Sequence, residues 1–364
     1  MFESPRRHHL LPRHRTTRGF AVCLTALLGL AALPAQVGGT DTDQLLAERW
    51  PAVDAALPGG VAVSFPTSDP YTLRDAAAGT APARNAVATL FLPDAAAGPV
   101  PAVVLLHGAG GIQAVRETAY ARQLAAQGVA ALVVDVFAAR RDIATGFIER
   151  ALNITEAMFL ADAYAGLRYL DSLPEIDATR VALVGFSYGG MASTYAAYRQ
   201  TAEIFQPDGP WFAAHAADYA PCIARFARTE TTGAPVLLMW GTGDAIVDSD
   251  RCRETVADLR GGGSAADWIA FEGAYHQWDG AFATPRTIGR DLSDCAFRVE
   301  ADATIRDANL GLEMSGPLSR RAILAICVRG EPYMIGADDA VRARSTAALS
   351  RFLNAAFRGP ITSD

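Results

Sequence analysis

The sequence contains no lysine. All 32 of its basic residues are arginine. A chain without lysine cannot form a lysine Schiff base with a carbonyl substrate, cannot supply the lysine of a phosphate-binding P-loop, and cannot use a Ser-Lys dyad. Three classes of active site are therefore excluded before any motif is considered.

Signatures of metal, cofactor and nucleic-acid binding are also missing. No C-x-x-C, H-E-x-x-H or G-x-G-x-x-G motif occurs, so neither a zinc site nor a dinucleotide site is expected. After residue 35 the basic residues form no cluster, and the formal net charge of the whole chain is −7, which argues against a nucleic-acid partner. After residue 33, no apolar run approaches the roughly 18 residues of a membrane span.

The first 35 residues have the pattern of a secretory leader. Five arginines precede an apolar run at 19–33, and Ala32-Leu33-Pro34-Ala35 suits signal-peptide cleavage. We therefore expect a signal peptide at 1–35 and a periplasmic or secreted protein; an uncleaved N-terminal anchor is the alternative. Without the leader, 27 basic and 38 acidic residues remain, a net charge of −11.

Cysteine is scarce, and four of the five cysteines follow the leader. An even number in an exported chain suggests two disulfides. Pairing by proximity in sequence predicts Cys222–Cys252 and Cys295–Cys327, with four buried free thiols as the alternative.

Beyond a lead-in at 36–60, the chain alternates strand and helix patterns as one domain at 61–364. Strands are predicted at 61–65, 87–92, 102–106, 129–135, 180–184, 212–219, 235–240 and 267–271. Helices are predicted at 114–127, 155–171, 187–200, 251–260 and 338–357. This alternation predicts an α/β fold whose mostly parallel sheet has helices on both faces. Residues 280–336 interrupt it, and we interpret them as an insertion with a small hairpin, stapled by a disulfide, that could overhang the site.

A single serine lies between a buried strand and a helix. Gly185-Phe186-Ser187-Tyr188-Gly189 is the G-x-S-x-G pattern of a nucleophile elbow, a strained turn that presents a serine hydroxyl above the edge of a sheet. A glycine-rich turn with an incidental serine is the alternative, and the strand before and helix after favour the elbow.

Few residues can serve as the base that activates this serine. Three of the six histidines lie in the leader, His107 follows a strand, and His215 falls within an apolar run. His276, in a loop just past a strand, remains. The acid of such hydrolases lies between serine and histidine. Asp244 follows a buried strand and is the first choice, with Asp248 and then Asp250 behind it.

The same pattern requires donors for an oxyanion. We expect the N–H groups of Tyr188 and of Ala109, in the turn His107-Gly108-Ala109-Gly110-Gly111, to form the oxyanion hole. His107 is expected to orient that turn.

Four motifs in order resemble the dienelactone hydrolase family. They are Leu106-His107-Gly108-Ala109-Gly110-Gly111, Gly185-Phe186-Ser187-Tyr188-Gly189-Gly190, Gly243-Asp244 and Gly273-Ala274-Tyr275-His276. The resemblance covers about 60–280 and the last helix, and it implies the α/β-hydrolase fold. Many members carry cysteine where this chain has Ser187, which favours ordinary carboxylic esters over enol-lactones. The resemblance therefore implies a serine esterase with a Ser187-Asp244-His276 triad, no cofactor and no metal, and the leader predicts that it is exported.

Substrate contacts are less well defined. The candidates are His107, Phe137, Arg140, Trp240 and Trp278. An arginine at 140 or 141 could bind a substrate carboxylate, although solvated arginines without a role are the alternative, and the aromatic residues equally suit core packing. Two rival functions remain. A prolyl-oligopeptidase-like peptidase would need a large N-terminal domain, which the residues before the first motif strand do not supply. A non-catalytic binding protein would show a broken triad.

Overall fold

Eight strands of the computed structural model form one central sheet, and the description covers residues 57–94, 98–289 and 291–358. The strands of the whole domain are β1 Val61–Ser68, β2 Ala83–Phe91, β3 Val100–Leu106, β4 Ala130–Val134, β5 Ile176–Phe186, β6 Ala214–Asp218, β7 Ala224–Phe226, β8 Val236–Gly241, β9 Ala266–Phe271, β10 Arg286–Ile288, β11 Phe297–Val299, β12 Ile305–Asp307 and β13 Tyr333–Ile335. The central sheet has the order β1-β2-β4-β3-β5-β6-β8-β9. β2 pairs antiparallel with β1 and β4, and the other pairs are parallel. This confirms the predicted fold class.

Burial explains why the predicted strands were recognisable. Every residue of β4 is buried, as are all those of β8, and β3 is buried from its second residue onward. Parallel strands covered on both faces need continuous apolar side chains, and these runs supply them. The carboxyl ends of β3, β5, β8 and β9 meet at one edge of the sheet, which is where ligands bind in such folds.

Nine α-helices lie in the described residues. They are α1 Leu73–Ala77, α2 Ala119–Ala126, α3 Phe147–Asn153, α4 Glu156–Asp171, α5 Tyr188–Ala196, α6 Arg199–Phe205, α7 Ser249–Gly261, α8 Pro317–Cys327 and α9 Asp339–Arg358. The predicted helix at 187–200 is interrupted at residues 197–198 and is otherwise helical from Tyr188 onward. Tyr198 is extended, at φ −77° and ψ 132°, and it bridges to Thr231, so the chain leaves α5 and restarts as α6.

Both predicted disulfides are present. Cys222 bonds to Cys252 and Cys295 bonds to Cys327, with Cα atoms 5.1 and 4.9 Å apart. The second disulfide joins the residues before β11 to the end of α8. It therefore lies within the segment that the sequence identified as an insertion.

That segment contains the predicted hairpin and more. β11 and β12 pair antiparallel, and β11 also pairs parallel with β7. β10 pairs antiparallel with β13. α8 lies between β12 and β13 in sequence. Neither α8 nor the pairing of β10 with β13 was predicted from the sequence.

The N-terminal predictions fall mostly outside the described residues. The leader at 1–35 and the lead-in up to residue 56 are not described, so neither is tested. Among the residues that the structure describes, no helix is both long and apolar enough to cross a membrane.

Candidate active site

Ser187 stands on a sharp turn between β5 and α5. Its φ of 52° and ψ of −110° belong to a region that side chains other than glycine rarely adopt. The turn is held at both ends, because the Ser187 N–H donates to the Asp218 carbonyl at 2.9 Å and the Met191 N–H donates to the Ser187 carbonyl at 3.0 Å. The strained turn points the serine away from the sheet, as the G-x-S-x-G pattern predicts.

Two glycines allow this turn to be tight. A Cβ at Gly189 would lie 2.4 Å from the Leu106 carbonyl oxygen, and a Cβ at Gly185 would lie 2.1 Å from the Gly189 carbonyl oxygen. Neither distance is tolerable for a carbon beside backbone. The first turn of α5 therefore packs directly on the end of β3, which brings the loop after β3 against Ser187.

His276 joins the serine to a carboxylate. Its Nε2 lies 2.9 Å from Ser187 Oγ, and its Nδ1 lies 2.6 Å from Asp244 Oδ2. The imidazole is 1% exposed, so water does not compete for these bonds. The backbone of His276 is fixed as well, since its N–H donates to the Met334 carbonyl and its carbonyl accepts from the Gly336 N–H.

Asp244, and not the other two carboxylates considered, meets the histidine. It follows β8, and its second oxygen accepts a bond from the Ile246 N–H at 3.2 Å. Asp248 instead caps α7, accepting from the N–H groups of Asp250 and Arg251. Asp250 pairs with Arg253 at the surface.

The glycine-rich turn after β3 lies directly against the serine. A Cβ at Gly108 would lie 3.2 Å from the Ser187 Cβ. Within the described chain, no acceptor takes the N–H groups of Ala109 and Tyr188. These are the donors expected from the sequence for an oxyanion, and both residues line one cavity with Ser187. His107 does orient this turn, because Nδ1 contacts the Gly108 carbonyl and Nε2 accepts from the Val136 N–H.

A cavity of about 430 Å³ opens at Ser187. It lies between α3, α5, the loop after β6 and the insertion, whose helix α8 forms one wall. Most of its lining is apolar, including Met191, Ile223, Ile246, Leu292, Phe297 and Leu324. Contacts made by α8 therefore decide the shape of the site.

Arg140 is corrected as a substrate contact. Its side chain has no exposed surface, and it donates to Asp162 at 2.6 and 2.9 Å and to Asp69 at 2.8 Å. Two carboxylates already neutralise this guanidinium, and burial keeps it from a ligand. It acts as a structural tie between the loop after β4, β1 and α4.

The other four candidates for substrate contacts are also buried away from the cavity. The His107 and Phe137 rings pack together at 4.5 Å. Trp240 donates to Ser249 Oγ and stacks on Trp268, while Trp278 donates to Ser345 Oγ. None of the four lines the cavity, so core packing was the correct alternative for the aromatic residues.

Sequence reasoning missed a buried polar network behind His276. The Tyr219 ring meets the imidazole edge to face at 4.9 Å, and the Tyr219 hydroxyl donates to Asp279 at 2.6 Å. Tyr120 donates to the other Asp279 oxygen, and Arg116 donates to the Tyr219 hydroxyl. Burial raises the pKa of Tyr219 well above its ordinary value, so its hydroxyl stays protonated as a donor. No motif in the sequence signals this network.

Sequence reasoning also missed an ion pair in the wall of the cavity. Arg320 of α8 meets Glu156 at the start of α4, with N–O distances of 2.9 and 3.2 Å, and it donates to the Tyr188 hydroxyl at 3.1 Å. Burial alone would raise the pKa of Glu156, but the charge and hydrogen bonds of Arg320 outweigh it, so this pKa is lowered. The pair joins residues that are 164 positions apart.

The described residues contain no group of three or more His, Cys, Asp or Glu side chains arranged to hold a metal ion. The groups that meet at Ser187 are a hydroxyl, an imidazole and a carboxylate, with backbone donors beside them.

A sequence model of the dienelactone hydrolase family matches residues 87–303, which is more than half of the chain. The chain belongs to the dienelactone hydrolase family. This dienelactone hydrolase family member is accordingly a hydrolase, and the resemblance stated from the four motifs is confirmed.

The individual relatives match this family member over a short segment or at low sequence identity. The quorum-quenching protein AidA of Acinetobacter baumannii is 38% identical over 90 residues, which are 25% of this chain and 28% of that protein. The match therefore spans less than a third of that relative. A Klebsiella pneumoniae structure described as a dienelactone hydrolase is 20% identical, covering 60% of this chain and 88% of that one, with a TM-score of 0.45. An esterase from Thermogutta terrifontis, solved with propionate, is 16% identical over 53% and 80% of the chains, with a TM-score of 0.44.

Proposed function

We propose that this family member is an exported serine esterase that cleaves carboxylic esters through an acyl-enzyme. The observation that carries the proposal is the unbroken chain of contacts from Ser187 Oγ to His276 and on to Asp244. A serine hydroxyl is a weak nucleophile unless a base takes its proton and a third group orients that base. All three groups are present at bonding distance in a buried place.

The first step forms the acyl-enzyme. Ser187 Oγ attacks the ester carbonyl carbon as His276 Nε2 takes its proton. The resulting oxyanion accepts hydrogen bonds from the Ala109 and Tyr188 N–H groups, which are otherwise unused in the described chain. Nε2 then gives the proton to the alkoxy oxygen, the bond from carbon to that oxygen breaks, and the alcohol leaves.

The second step returns the free enzyme. Water gives a proton to His276 and attacks the acyl carbon, and collapse of the intermediate releases the acid and restores the Ser187 hydroxyl. Asp244 holds the proton of Nδ1 in place and stabilises the imidazolium in both steps. No cofactor or metal takes part in this proposal.

Labelling with a fluorophosphonate tests the activated serine. We expect the purified protein to be modified at Ser187, mapped by mass spectrometry, and we expect Ser187→Ala and His276→Ala to abolish the modification. Hydrolysis of p-nitrophenyl acetate should be lost in the same two variants. A folded wild-type protein that neither reacts nor hydrolyses the acetate would refute the proposal and favour a binding protein on this fold.

Export is supported by the leader pattern and by the two disulfides, which form and persist in oxidising compartments. The N-terminal sequence of the protein recovered from its native cells tests it. We expect that sequence to begin close to residue 36, and a chain that still begins at Met1 would contradict cleavage of a leader.

A further inference from the structure

The charged side chains that line the cavity are already engaged. They are Glu156, Arg320 and Arg321. Glu156 and Arg320 neutralise each other, and Arg320 also donates to the Ala151 carbonyl and to the Tyr188 hydroxyl. Arg321 is exposed and donates to Asn153 at 3.1 Å. The buried pair therefore offers no net charge to a substrate, and the remaining charge, that of Arg321, lies on an exposed side chain.

The position of the cavity relative to the reacting carbon indicates which part of an ester it can hold. An ester carbonyl places its oxygen toward the oxyanion donors, its alkoxy oxygen toward His276 Nε2, and its acyl chain along the third direction. Ser187, Ala109 and Tyr188 line the cavity, whereas His276 does not. An acyl chain bound to Ser187 can therefore extend into this space.

A second, smaller cavity of about 40 Å³ adjoins the first. Four residues line both cavities and so form the partition that separates them: Met191, Phe297 and the ion-paired Glu156 and Arg320. The far side is closed by apolar and aromatic groups such as Leu160, Tyr195 and Phe226. Methionine is flexible and adapts its shape readily, so Met191 is the member of this partition that an apolar chain would displace most easily.

We propose that the preferred substrates are uncharged esters with an unbranched apolar acyl chain, and that this chain lies in the cavity between α5 and α8. The proposal rests on the proposed esterase function and names its substrate class. Burial of apolar carbon drives the preference, and Met191 and Leu324 limit the length that fits.

A series of p-nitrophenyl esters from acetate to dodecanoate measures the preference. Each methylene buried in the cavity should raise kcat/KM about fourfold, until the cavity is full and the rate falls. A second series varies the alcohol of acetate esters. The proposal is overturned if kcat/KM is flat along the acyl series, or if it rises along the alcohol series instead.

Charge provides a second test. The p-nitrophenyl monoester of adipic acid carries a carboxylate where the hexanoate ester carries a methyl group. We expect its kcat/KM to be lower by about tenfold or more, because an unpaired carboxylate is costly to bury. Equal or faster hydrolysis of the charged ester would overturn the proposal.

Substitutions in the cavity wall test where the acyl chain of the substrate binds. Leu324→Trp should fill the cavity from the partly exposed helix α8 and lower the ratio of octanoate to acetate hydrolysis, measured as kcat/KM. Met191→Ala should open part of the partition and raise the ratio of dodecanoate to octanoate hydrolysis. Met158→Ala is the matched control, since Met158 is a buried methionine of α4 that lines neither cavity. Its ratios should equal those of the wild type, and identical ratios in all three variants would refute the placement.

The two proposals fail in different ways. If Ser187 is labelled and acetate is hydrolysed but chain length has no effect, the esterase function stands and the substrate class is wrong. If Ser187 is neither labelled nor active on any ester, both are wrong.

Discussion

The ion pair between Arg320 and Glu156 should hold the insertion on the rest of the domain, and Arg320→Met tests this. The substitution keeps an unbranched side chain of similar length but removes the guanidinium. It breaks both contacts with Glu156 and the bonds to the Ala151 carbonyl and the Tyr188 hydroxyl. Glu156 is then left partly buried without a counter-charge.

The expected cost follows from the burial of the pair. Removing one partner of a buried ion pair costs about 3–5 kcal/mol. Arg320 keeps 7% of its side chain exposed and Glu156 keeps 21%, so water partly solvates the carboxylate and the lower end applies, about 3 kcal/mol. Arg321→Met is the matched control on the same helix. Its exposed guanidinium bonds only to Asn153 among the described residues, and we expect a change within about 0.5 kcal/mol.

The loss of stability in Arg320→Met should also depend on pH, and the pKa of Glu156 determines the direction of that dependence. The ordinary pKa of Glu156 is 4.5, and in the folded protein Arg320 lowers it. A carboxylate with a lowered pKa stabilises the fold above its unfolded pKa, and this contribution disappears as the pH falls through the folded pKa. The difference in free energy of unfolding between the wild type and Arg320→Met should therefore be largest near pH 7 and shrink below pH 4.5.

Urea unfolding of the oxidised protein at several pH values measures these differences. Hydrogen exchange shows where in the structure the stability is lost. Protection from exchange should fall more in α8 than in the central sheet. The reasoning is refuted if Arg320→Met costs no more than Arg321→Met. It is equally refuted if the difference between wild type and Arg320→Met is the same at pH 4 and pH 7.

Two further predictions concern the triad and the disulfide in the insertion. Asp244→Asn should lower kcat by about 10³–10⁴-fold because the imidazole loses its orienting acceptor, whereas Asp248→Ala should keep kcat and cost about 1 kcal/mol of stability through the lost helix cap; the opposite pattern would make Asp248 the acid. Replacing Cys295 and Cys327 by Ser should cost about 3–4 kcal/mol for a loop of this size, whose ends are 32 residues apart. Thermal unfolding of that variant with and without reductant checks the second prediction, and no loss of stability relative to the oxidised wild type would contradict it.

The proposed triad could be predicted from the sequence because histidine is scarce. Once the leader is set aside, His107, His215 and His276 are the only candidates. The other two sit in or directly after buried strands, where they meet backbone or apolar groups. His215 illustrates the consequence, since burial in β6 lowers its pKa to about 3 and leaves it unable to act as a base near neutral pH.

The residues that line the cavity could not be predicted from the sequence, because their positions depend on partners far away in the chain. Arg140 follows a strand at the correct edge of the sheet, which is all that its neighbours in sequence reveal. Its partners Asp69 and Asp162 lie 71 and 22 residues away, and they convert a candidate ligand contact into a structural tie. Arg320 shows the reverse, since nothing near it in the sequence predicts that it reaches the cavity.

The insertion belongs to the active site and is more than a cover over it. Main-chain atoms of Met334 and Gly336 hydrogen-bond to the backbone of His276, and the Tyr333 ring meets the imidazole edge to face at 5.6 Å. The same segment supplies α8 as a cavity wall. Removing residues 280–336 would therefore loosen the base as well as open the cavity, and a loss of activity would not separate the two effects. Substitutions in α8 such as Leu324→Trp leave the contacts to His276 in place, so they are the sharper probe of what the cavity binds.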